Sequence, residues 1–347
     1  MHAKVETEIK YLFDAPPEPG AMRELLPGLT WVRVPLPFVL NHVNCWLLDD
    51  KDGGLTLIDT GADKPETREL WDRVLAALPE GKAIARLICT HGHPDHVGLA
   101  GWFVDKLGVP LHMTLVEWLA PQVWREEGMN AMRPATRGFF LSHGIPEAAV
   151  TAMDKAREQA PFRNYPLPAN FVRMRDGESV SFGGRQWQVL VNGGHADEHA
   201  SFYCKNDGIL IAGDQILSRI SPVVGVFPSQ PWSDPLADYL VSLTRLRTLP
   251  ADTIVLPSHG LPFRGLHTRI DQLARHHKSR LQALWDLMEK PAHGIALAHG
   301  LFPKAMAAKD QTVMALAETL AHAHHLVSAK RAKRFVAADG AVTFVRV

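Results

Sequence analysis

The 347-residue sequence has few cysteines and no excess of charge of either sign. Its three cysteines, Cys45, Cys89 and Cys204, lie in separate apolar runs, and their odd number and irregular spacing give no disulfide framework. We expect them to be small buried hydrophobic residues. Basic and acidic residues each number 37, so the overall charge gives no reason to expect nucleic acid, although it leaves room for a local basic patch.

Long hydrophobic runs are also missing. No run approaches membrane-spanning length, and residues 1–19 carry mixed charges without the apolar segment of a secretory signal. We therefore expect a cytoplasmic protein without a membrane partner. No G-x-S-x-G stretch occurs either, so the sequence suggests no serine nucleophile of that kind.

The densest group of potential metal ligands directly follows an apolar run at 87–90. His91, His93, Asp95 and His96 lie within six residues, in a loop that contains glycine and proline. A strand that ends in a tight loop can direct alternate side chains towards one point. Three imidazoles and a carboxylate suit Zn, Fe(II) or Mn(II), so this stretch predicts a metal site rather than an incidental polar loop.

The H-x-H-x-D-H spacing resembles the signature of the metallo-β-lactamase superfamily. The resemblance implies three further ligands, each at the end of a later strand: a histidine, a bridging aspartate and a last histidine. The apolar runs that begin at residues 189, 209 and 253 end, in that order, in His195, Asp214 and His259. The resemblance therefore covers roughly residues 30–265.

The resemblance implies two metal ions, with zinc expected and iron or manganese as alternatives. Seven side chains would hold them: His91, His93 and His195 for the first ion, Asp95, His96 and His259 for the second, and Asp214 as the bridge. A water between two such ions loses a proton near neutral pH and becomes the nucleophile. Asp95 and Asp214 are therefore predicted to be catalytic as well as ligating.

Three more residues are candidates for contacts around the metals. Asp59 lies in a stretch, 57–61, that resembles the first motif of the superfamily, so it is expected to orient metal-binding histidines or simply to cap a turn. His42 precedes a predicted strand near the expected mouth of the site and is a candidate for substrate contact. His199 could donate to substrate or to a ligand, or could satisfy a loop.

The alternation of strands and helices predicts an α/β protein, and the resemblance specifies an αββα sandwich. We expect an N-terminal arm at 1–29, a catalytic domain at 30–265 and a C-terminal domain at 266–347. Residues 114–170 are predicted to form about three helices with proline-marked breaks, as an insertion over the active-site face. The C-terminal helices and hairpin resemble the winged-helix appendage of some members of the superfamily.

Several functions stay open at this point. The first is hydrolysis of an ester, thioester or lactone of a small molecule, favoured by the apolar insertion and the zero net charge. The alternative is an endoribonuclease or phosphodiesterase, in which the basic run at 330–334 would contact phosphate. A mononuclear sulfur dioxygenase is a minor alternative, because iron and zinc accept the same ligands. A scaffold without activity would need lost ligands, and none is missing. The apolar helix faces of the tail also allow a homodimer.

Overall fold

The structure, a computed structural model, describes residues 8–37, 40–123, 126–159, 165–308 and 311–347. Its strands are β1 (Lys10–Tyr11), β2 (Met22–Leu26), β3 (Leu29–Pro35), β4 (His42–Asp49), β5 (Gly54–Ile58), β6 (Ala83–Ile88), β7 (Leu111–Met113), β8 (Val172–Arg173), β9 (Ser179–Phe182), β10 (Arg185–Asn192), β11 (His199–Cys204), β12 (Ile209–Gly213), β13 (Ile254–Pro257), β14 (Phe263–Arg264), β15 (Ala292–His293), β16 (Ala332–Val336) and β17 (Val342–Arg346). Its helices are α1 (Pro65–Ala76), α2 (Pro94–Val97), α3 (Ala100–Leu107), α4 (Leu115–Val123), α5 (Glu126–Ser142), α6 (Glu147–Gln159), α7 (Pro235–Leu246), α8 (Leu266–Leu287), α9 (Gly294–Leu301), α10 (Pro303–Ala307) and α11 (Thr312–Ser328).

Two seven-stranded sheets form the centre of the fold. The first has the order β2-β3-β4-β5-β6-β7-β8, and the second has the order β1-β14-β13-β12-β11-β10-β9. Strands β5 to β8 run parallel to one another, as do β12 and β13, and the remaining pairs within the two sheets are antiparallel. A separate three-stranded sheet, β15-β17-β16, lies in the C-terminal region.

Three hydrophobic layers explain why the sheets stack. Trp31 and Trp46 of the first sheet meet Trp187 and Phe202 of the second in the layer between them. The outer face of the first sheet packs against α1 and α3, and that of the second packs against α7, α8 and α11. Burial of such large side chains on both faces of each sheet is what an α/β layer architecture requires. The predicted αββα sandwich is confirmed.

The edges of the sheets contain elements that the sequence did not predict. Residues 8–29, expected to form an arm, instead place β1 beside β14 and β2 beside β3. Phe13 and Leu12 pack against the layer between the sheets. These strands were missed because β1 has only two residues and the surrounding prolines obscure any alternation of polar and apolar side chains.

The other predicted segments can be compared with the structure directly. Helices α4, α5 and α6 lie within the predicted insertion at 114–170. In the C-terminal region, α8 and α11 share a hydrophobic layer with the second sheet, and β16 and β17 form the expected hairpin. The domain boundaries and the winged-helix assignment stay predictions. Within the described ranges, no helix has both the length and the apolar character needed to cross a membrane.

Candidate metal centre

The predicted ligands gather at one end of the sandwich. Strands β6, β10, β12 and β13 all end at this edge, and each leads directly into a loop that carries predicted ligands. Two backbone hydrogen bonds join the sheets here: Ala200 N donates to Thr90 O over 2.8 Å, and Asn44 N donates to Ser258 O over 2.6 Å. These bonds fix the loops of the two sheets relative to each other.

The first group of predicted ligands consists of three imidazoles with their nitrogens close together. His91 Nε2 lies 2.9 Å from His93 Nδ1 and 3.3 Å from His195 Nε2. Burial lowers the pKa of His93 to about 3, and burial with the neighbouring imidazoles holds the pKa of His91 well below its usual range. The rings of His91 and His93 are therefore neutral at pH 7 and can offer lone pairs to a cation.

The second group combines two imidazoles with a carboxylate. Asp95 Oδ2 lies 3.6 Å from His96 Nε2 and 3.5 Å from His259 Nε2. Asp214 lies between the two groups. Its Oδ2 atom is 3.3 Å from His195 Nε2, while its Oδ1 atom is 3.2 Å from His259 Nε2. The structure thus brings all seven predicted ligands into one cluster, with a different oxygen of Asp214 towards each group.

Hydrogen bonds on the outer side of the cluster fix the orientation of three rings. The Nδ1 atom of His195 donates to Val223 O over 2.8 Å, and that of His259 donates to His42 O over 2.6 Å. The Nδ1 atom of His96 lies 2.9 Å from Asp59 Oδ2. Carbonyl and carboxylate oxygens only accept, so each Nδ1 carries the hydrogen and each ring directs Nε2 towards the cluster, where it can bind a cation once that nitrogen carries no proton.

This arrangement requires positive charge at its centre. The buried atoms His96 Nε2, His259 Nε2 and Asp214 Oδ1 make no hydrogen bond among the described residues. Lone pairs would face carboxylate oxygens unless protons or metal ions lay between them. Burial alone would lower the pKa of His96, but Asp95 and Asp214 outweigh it and hold that pKa well above its usual range. The donor set therefore fits divalent metal ions.

Asp59 contacts two of the histidine rings, one directly and one through Thr90, on the side that faces away from the cluster. It accepts the Nδ1 hydrogen of His96 and, through Oδ1 and Oδ2, the hydroxyl of Thr90 at 3.1 and 2.9 Å. Thr90 Oγ1 in turn lies 3.0 Å from His91 Nδ1. Asp59 also has a φ of +60°, a strained value for a residue other than glycine. The surrounding bonds hold it in this conformation, which favours the orienting role over a simple turn cap.

The two other candidate residues lie behind the cluster. Asp214 N donates to His199 Nε2 over 3.0 Å, and His199 is fully buried, so it positions the Asp214 backbone. Gly213 is required beside it, because a Cβ there would lie 2.3 Å from His199 Nε2. His42 uses both ring nitrogens within the protein: Nδ1 lies 2.7 Å from Asn41 Oδ1, and Nε2 accepts from Gly260 N over 3.0 Å. These contacts support loop-positioning roles rather than substrate contact.

A buried carboxylate that sequence reasoning missed connects the two histidine loops. Glu117, on α4, accepts from Gly92 N over 2.8 Å through Oε2 and from Glu198 N over 2.9 Å through Oε1. Gly92 lies between His91 and His93 in the chain. Glu117 thus ties the insertion to the metal loops. Its position in a region of helices, far from every ligand in sequence, gave no signal.

Replacing Glu117 with glutamine is expected to lower the free energy of unfolding by about 1–3 kcal/mol. Glutamine has one acceptor oxygen, so its amide group would face a backbone N–H that has lost its partner. Urea unfolding of the metal-free protein measures the change, with Glu80→Gln as a control at an exposed site. Equal midpoints for Glu117→Gln and the unaltered protein would contradict this role.

Comparison with known families decides the relationship. The sequence profile of the Metallo-beta-lactamase superfamily matches residues 39–259, well over half of the chain. The chain belongs to the metallo-beta-lactamase superfamily. A second profile, described as the metallo-beta-lactamase-like C-terminal domain, matches residues 281–347.

Individual proteins agree with this membership. The chain is 27% identical over 304 residues to "Probable metallo-hydrolase YqjP" of Bacillus subtilis, covering 84% of this chain and 89% of that protein. It is 24% identical over 254 residues to a "Hydroxyacylglutathione hydrolase" of Stenotrophomonas maltophilia, covering 73% of this chain and 72% of that protein. The crystal structure of a beta-lactamase domain protein from Burkholderia ambifaria has a TM-score of 0.88, 37% identity and 98% coverage of both chains. The chain is therefore a metallo-hydrolase of this superfamily.

Proposed function

We propose that this metallo-hydrolase holds two metal ions and cleaves the ester, thioester or lactone bond of a small acyl substrate. The position of Asp214 carries the proposal, because its two oxygens face two separate groups of donors at 3.3 and 3.2 Å. One carboxylate between two donor groups supports a two-ion site. Zinc is the proposed metal because imidazole nitrogens dominate the donors, and iron or manganese fits the same residues.

The seven predicted ligands would hold the ions in the two groups described above. Ions bound there would lower the pKa of a bound water and polarise the substrate carbonyl. The chain itself contributes orientation, because Val223 O, His42 O and Asp59 keep three ligand rings in the Nδ1–H tautomer. Asp95 is the more exposed of the two ligating carboxylates, at 18% against 8% for Asp214. We therefore assign proton exchange with the reacting groups to Asp95.

The choice of an acyl substrate rests on two considerations. The Stenotrophomonas maltophilia relative is named for hydrolysis of a hydroxyacylglutathione, which is a thioester. In addition, a metal ion held by imidazoles and carboxylates polarises a carbonyl oxygen, so the predicted ligands suit an acyl substrate. That the insertion covers the substrate stays a prediction; Trp118, one of its aromatic residues, stacks on Phe171 with ring centroids 4.4 Å apart.

One surface favours the phosphodiesterase alternative. The basic run lies at the end of α11 and on β16, where the Arg334 guanidinium lies 3.9 Å from the ring centroid of Trp232. Trp232 is 65% exposed. A basic and aromatic surface suits single-stranded nucleic acid. If it binds RNA, affinity will weaken with salt at a log–log slope of about −0.7 per phosphate contact.

Protein purified without chelator should contain two metal ions per chain and hydrolyse small acyl compounds. Elemental analysis measures the metal content. An assay panel of acyl thioesters, lactones, nitrocefin, bis-p-nitrophenyl phosphate and single-stranded RNA identifies the bond that is cleaved. A metal content below one per chain after zinc reconstitution would disprove the two-ion site. Salt-dependent RNA cleavage without thioester turnover would favour the nuclease, and oxygen uptake with a persulfide would favour the dioxygenase.

A further inference from the structure

A long irregular connection joins β12 to α7 and takes part in both halves of the metal centre. It spans residues 214–234, contains no helix or strand, and is called here the 214–234 loop. Asp214 is its first residue, and the carbonyl of Val223 orients His195 from 2.8 Å away. Connections longer than about 12–15 residues without secondary structure are uncommon, and those that occur are usually functional.

The 214–234 loop is buried over much of its length, which is unusual for a loop. Ile216, Val224 and Val226 are fully buried, and they share a hydrophobic layer with the C-terminal helices. A buried loop must find internal partners for its backbone polar groups. The 214–234 loop forms no helix or strand of its own that could supply those partners, so neighbouring elements must supply them.

Arg269 on α8 supplies donors to two carbonyls of this loop. Its Nε donates to Leu217 O over 2.6 Å, and its Nη2 donates to Ile220 O over 2.7 Å. The side chain is only 6% exposed. A guanidinium fork can hold two carbonyls at once in a fixed geometry, whereas a lysine ammonium at the same place acts as a single point charge. Arg269 thus fixes the loop on the side of Asp214.

Helix α11 holds the other side of the loop. Val226 N donates to Ala317 O over 3.0 Å, three residues after the Val223 carbonyl that orients His195. The loop and the helix are in close contact at this point. A Cβ added at Gly225 would lie 2.9 Å from the Ala317 Cβ and 3.0 Å from the Phe227 ring, so no side chain fits without a shift.

We propose that the C-terminal helices position a metal ligand: Arg269 and Ala317 hold the 214–234 loop so that the Val223 carbonyl keeps His195 in its ligating tautomer. Both residues lie outside the part of the chain that carries the ligands, and neither touches the metal cluster directly. They are positioning residues, and they make the C-terminal region a structural component of the metal centre. This inference rests on the proposed metal site.

The first test replaces Arg269 with lysine and with methionine. Both variants should lower zinc affinity, measured by competition with a chromogenic chelator, by about the 10- to 100-fold that loss of an orienting partner costs. Lysine should restore affinity only in part. Arg275→Met, at an exposed position of the same helix, is the control and should leave zinc affinity unchanged. If Arg269→Met binds zinc as tightly as the unaltered protein, the inference is wrong.

A double-mutant cycle separates positioning from general stability. If Arg269 acts through His195, Arg269→Met should cause little further loss of zinc affinity in a His195→Ala background. Equal losses in both backgrounds would contradict the inference. Nitrogen NMR of metal-free protein adds a readout without metal, because His195 should show the Nδ1–H tautomer in the unaltered protein and a mixture of tautomers in Arg269→Met.

The second test uses the close contact of the loop with α11 and does not depend on Arg269. Gly225→Ala should push the loop from the helix and weaken zinc binding, and adding Ala317→Gly should restore much of the affinity by removing the opposing Cβ. Ala317→Gly alone keeps the backbone carbonyl that accepts from Val226 N, so it should lower thermal stability, since glycine costs about 1 kcal/mol within a helix, with a smaller loss of zinc affinity than in Gly225→Ala. Normal affinity in Gly225→Ala would overturn the inference. Failure of the unaltered protein to bind zinc would instead disprove the proposed function.

Discussion

Asp214→Ala is expected to remove both metal ions and nearly all hydrolytic activity while the sandwich remains folded. The carboxylate faces His195 through one oxygen and His259 through the other, at 3.3 and 3.2 Å. Its loss would leave two cations without the negative charge that screens them from each other. Metal affinity should therefore fall by more than the roughly 10- to 100-fold that loss of an outer partner costs, and turnover should fall at least as far.

Two further variants sharpen this result. Asp214→Asn keeps the shape and one carbonyl oxygen, so it should retain more metal than Asp214→Ala while losing the bridging charge. Asp207→Ala removes an aspartate near the opposite end of the same sheet that pairs with Arg185, and it should change neither metal content nor turnover. Elemental analysis, circular dichroism and the acyl-hydrolysis assay follow all three proteins. If Asp214→Ala keeps full activity and two metal ions, Asp214 is not needed for metal binding or for turnover.

The positions of the predicted ligands could be inferred from the sequence because the evidence is local. Each ligand loop directly follows a short apolar run, and buried strands at the centre of a sheet are the elements that apolar runs predict most directly. His91, His195, Asp214 and His259 therefore fall after β6, β10, β12 and β13 in the structure. Topology then brings these strand ends to one edge, which the resemblance implied and local patterns alone could not show.

Apart from that of Asp59 with His96, these supporting contacts could not be predicted, because they join backbone groups to side chains far away in the chain. Val223 and His42 act through carbonyl oxygens, which every residue has, so their side chains give no signal. Glu117 and Arg269 are charged residues in amphipathic helices, where an exposed face is the usual expectation. Only the fold shows that Glu117 joins two metal loops and that Arg269 is buried against the 214–234 loop.

Acidification from pH 7 to pH 5 is expected to unfold the metal-free protein, or nearly so. Burial, with the neighbouring charges, lowers the pKa of His93, His199 and His277 to about 3 and that of His322 to about 4. In the unfolded chain the same side chains have a pKa of about 6.5. Below pH 6.5 the unfolded chain therefore binds protons that the folded protein does not. The free energy of unfolding decreases as the pH is lowered, until the pH reaches the pKa of the folded state.

The expected loss is comparable with the whole stability of a domain. At pH 5, each of these four histidines costs about 2 kcal/mol, or about 8 kcal/mol together, against a typical total of about 5–15 kcal/mol. One group with opposite behaviour offsets about 2 kcal/mol of it: burial raises the pKa of Glu318 to about 7, so the folded protein binds a proton there between pH 7 and pH 5 while the unfolded chain largely does not. Two other groups do not offset it. The raised pKa of His96 adds stability that is already fully present below pH 6.5, and the lowered pKa of Asp214 adds stability that is lost only in stronger acid.

Urea unfolding at pH 7, 6 and 5, with chelator present, measures this loss. The pair on the C-terminal helices allows a direct check, because His277 Nδ1 lies 3.2 Å from His322 Nε2 and the two rings can be replaced together. The double variant His277→Phe with His322→Leu should lose about 4 kcal/mol less stability between pH 7 and pH 5 than the unaltered protein, whatever its stability at pH 7, because two groups that bind protons mainly in the unfolded chain are gone. His299→Gln, at an exposed position, is the matched control and should leave the pH dependence unchanged. A free energy of unfolding that stays constant from pH 7 to pH 5 would show that these buried histidines accept protons in the folded state.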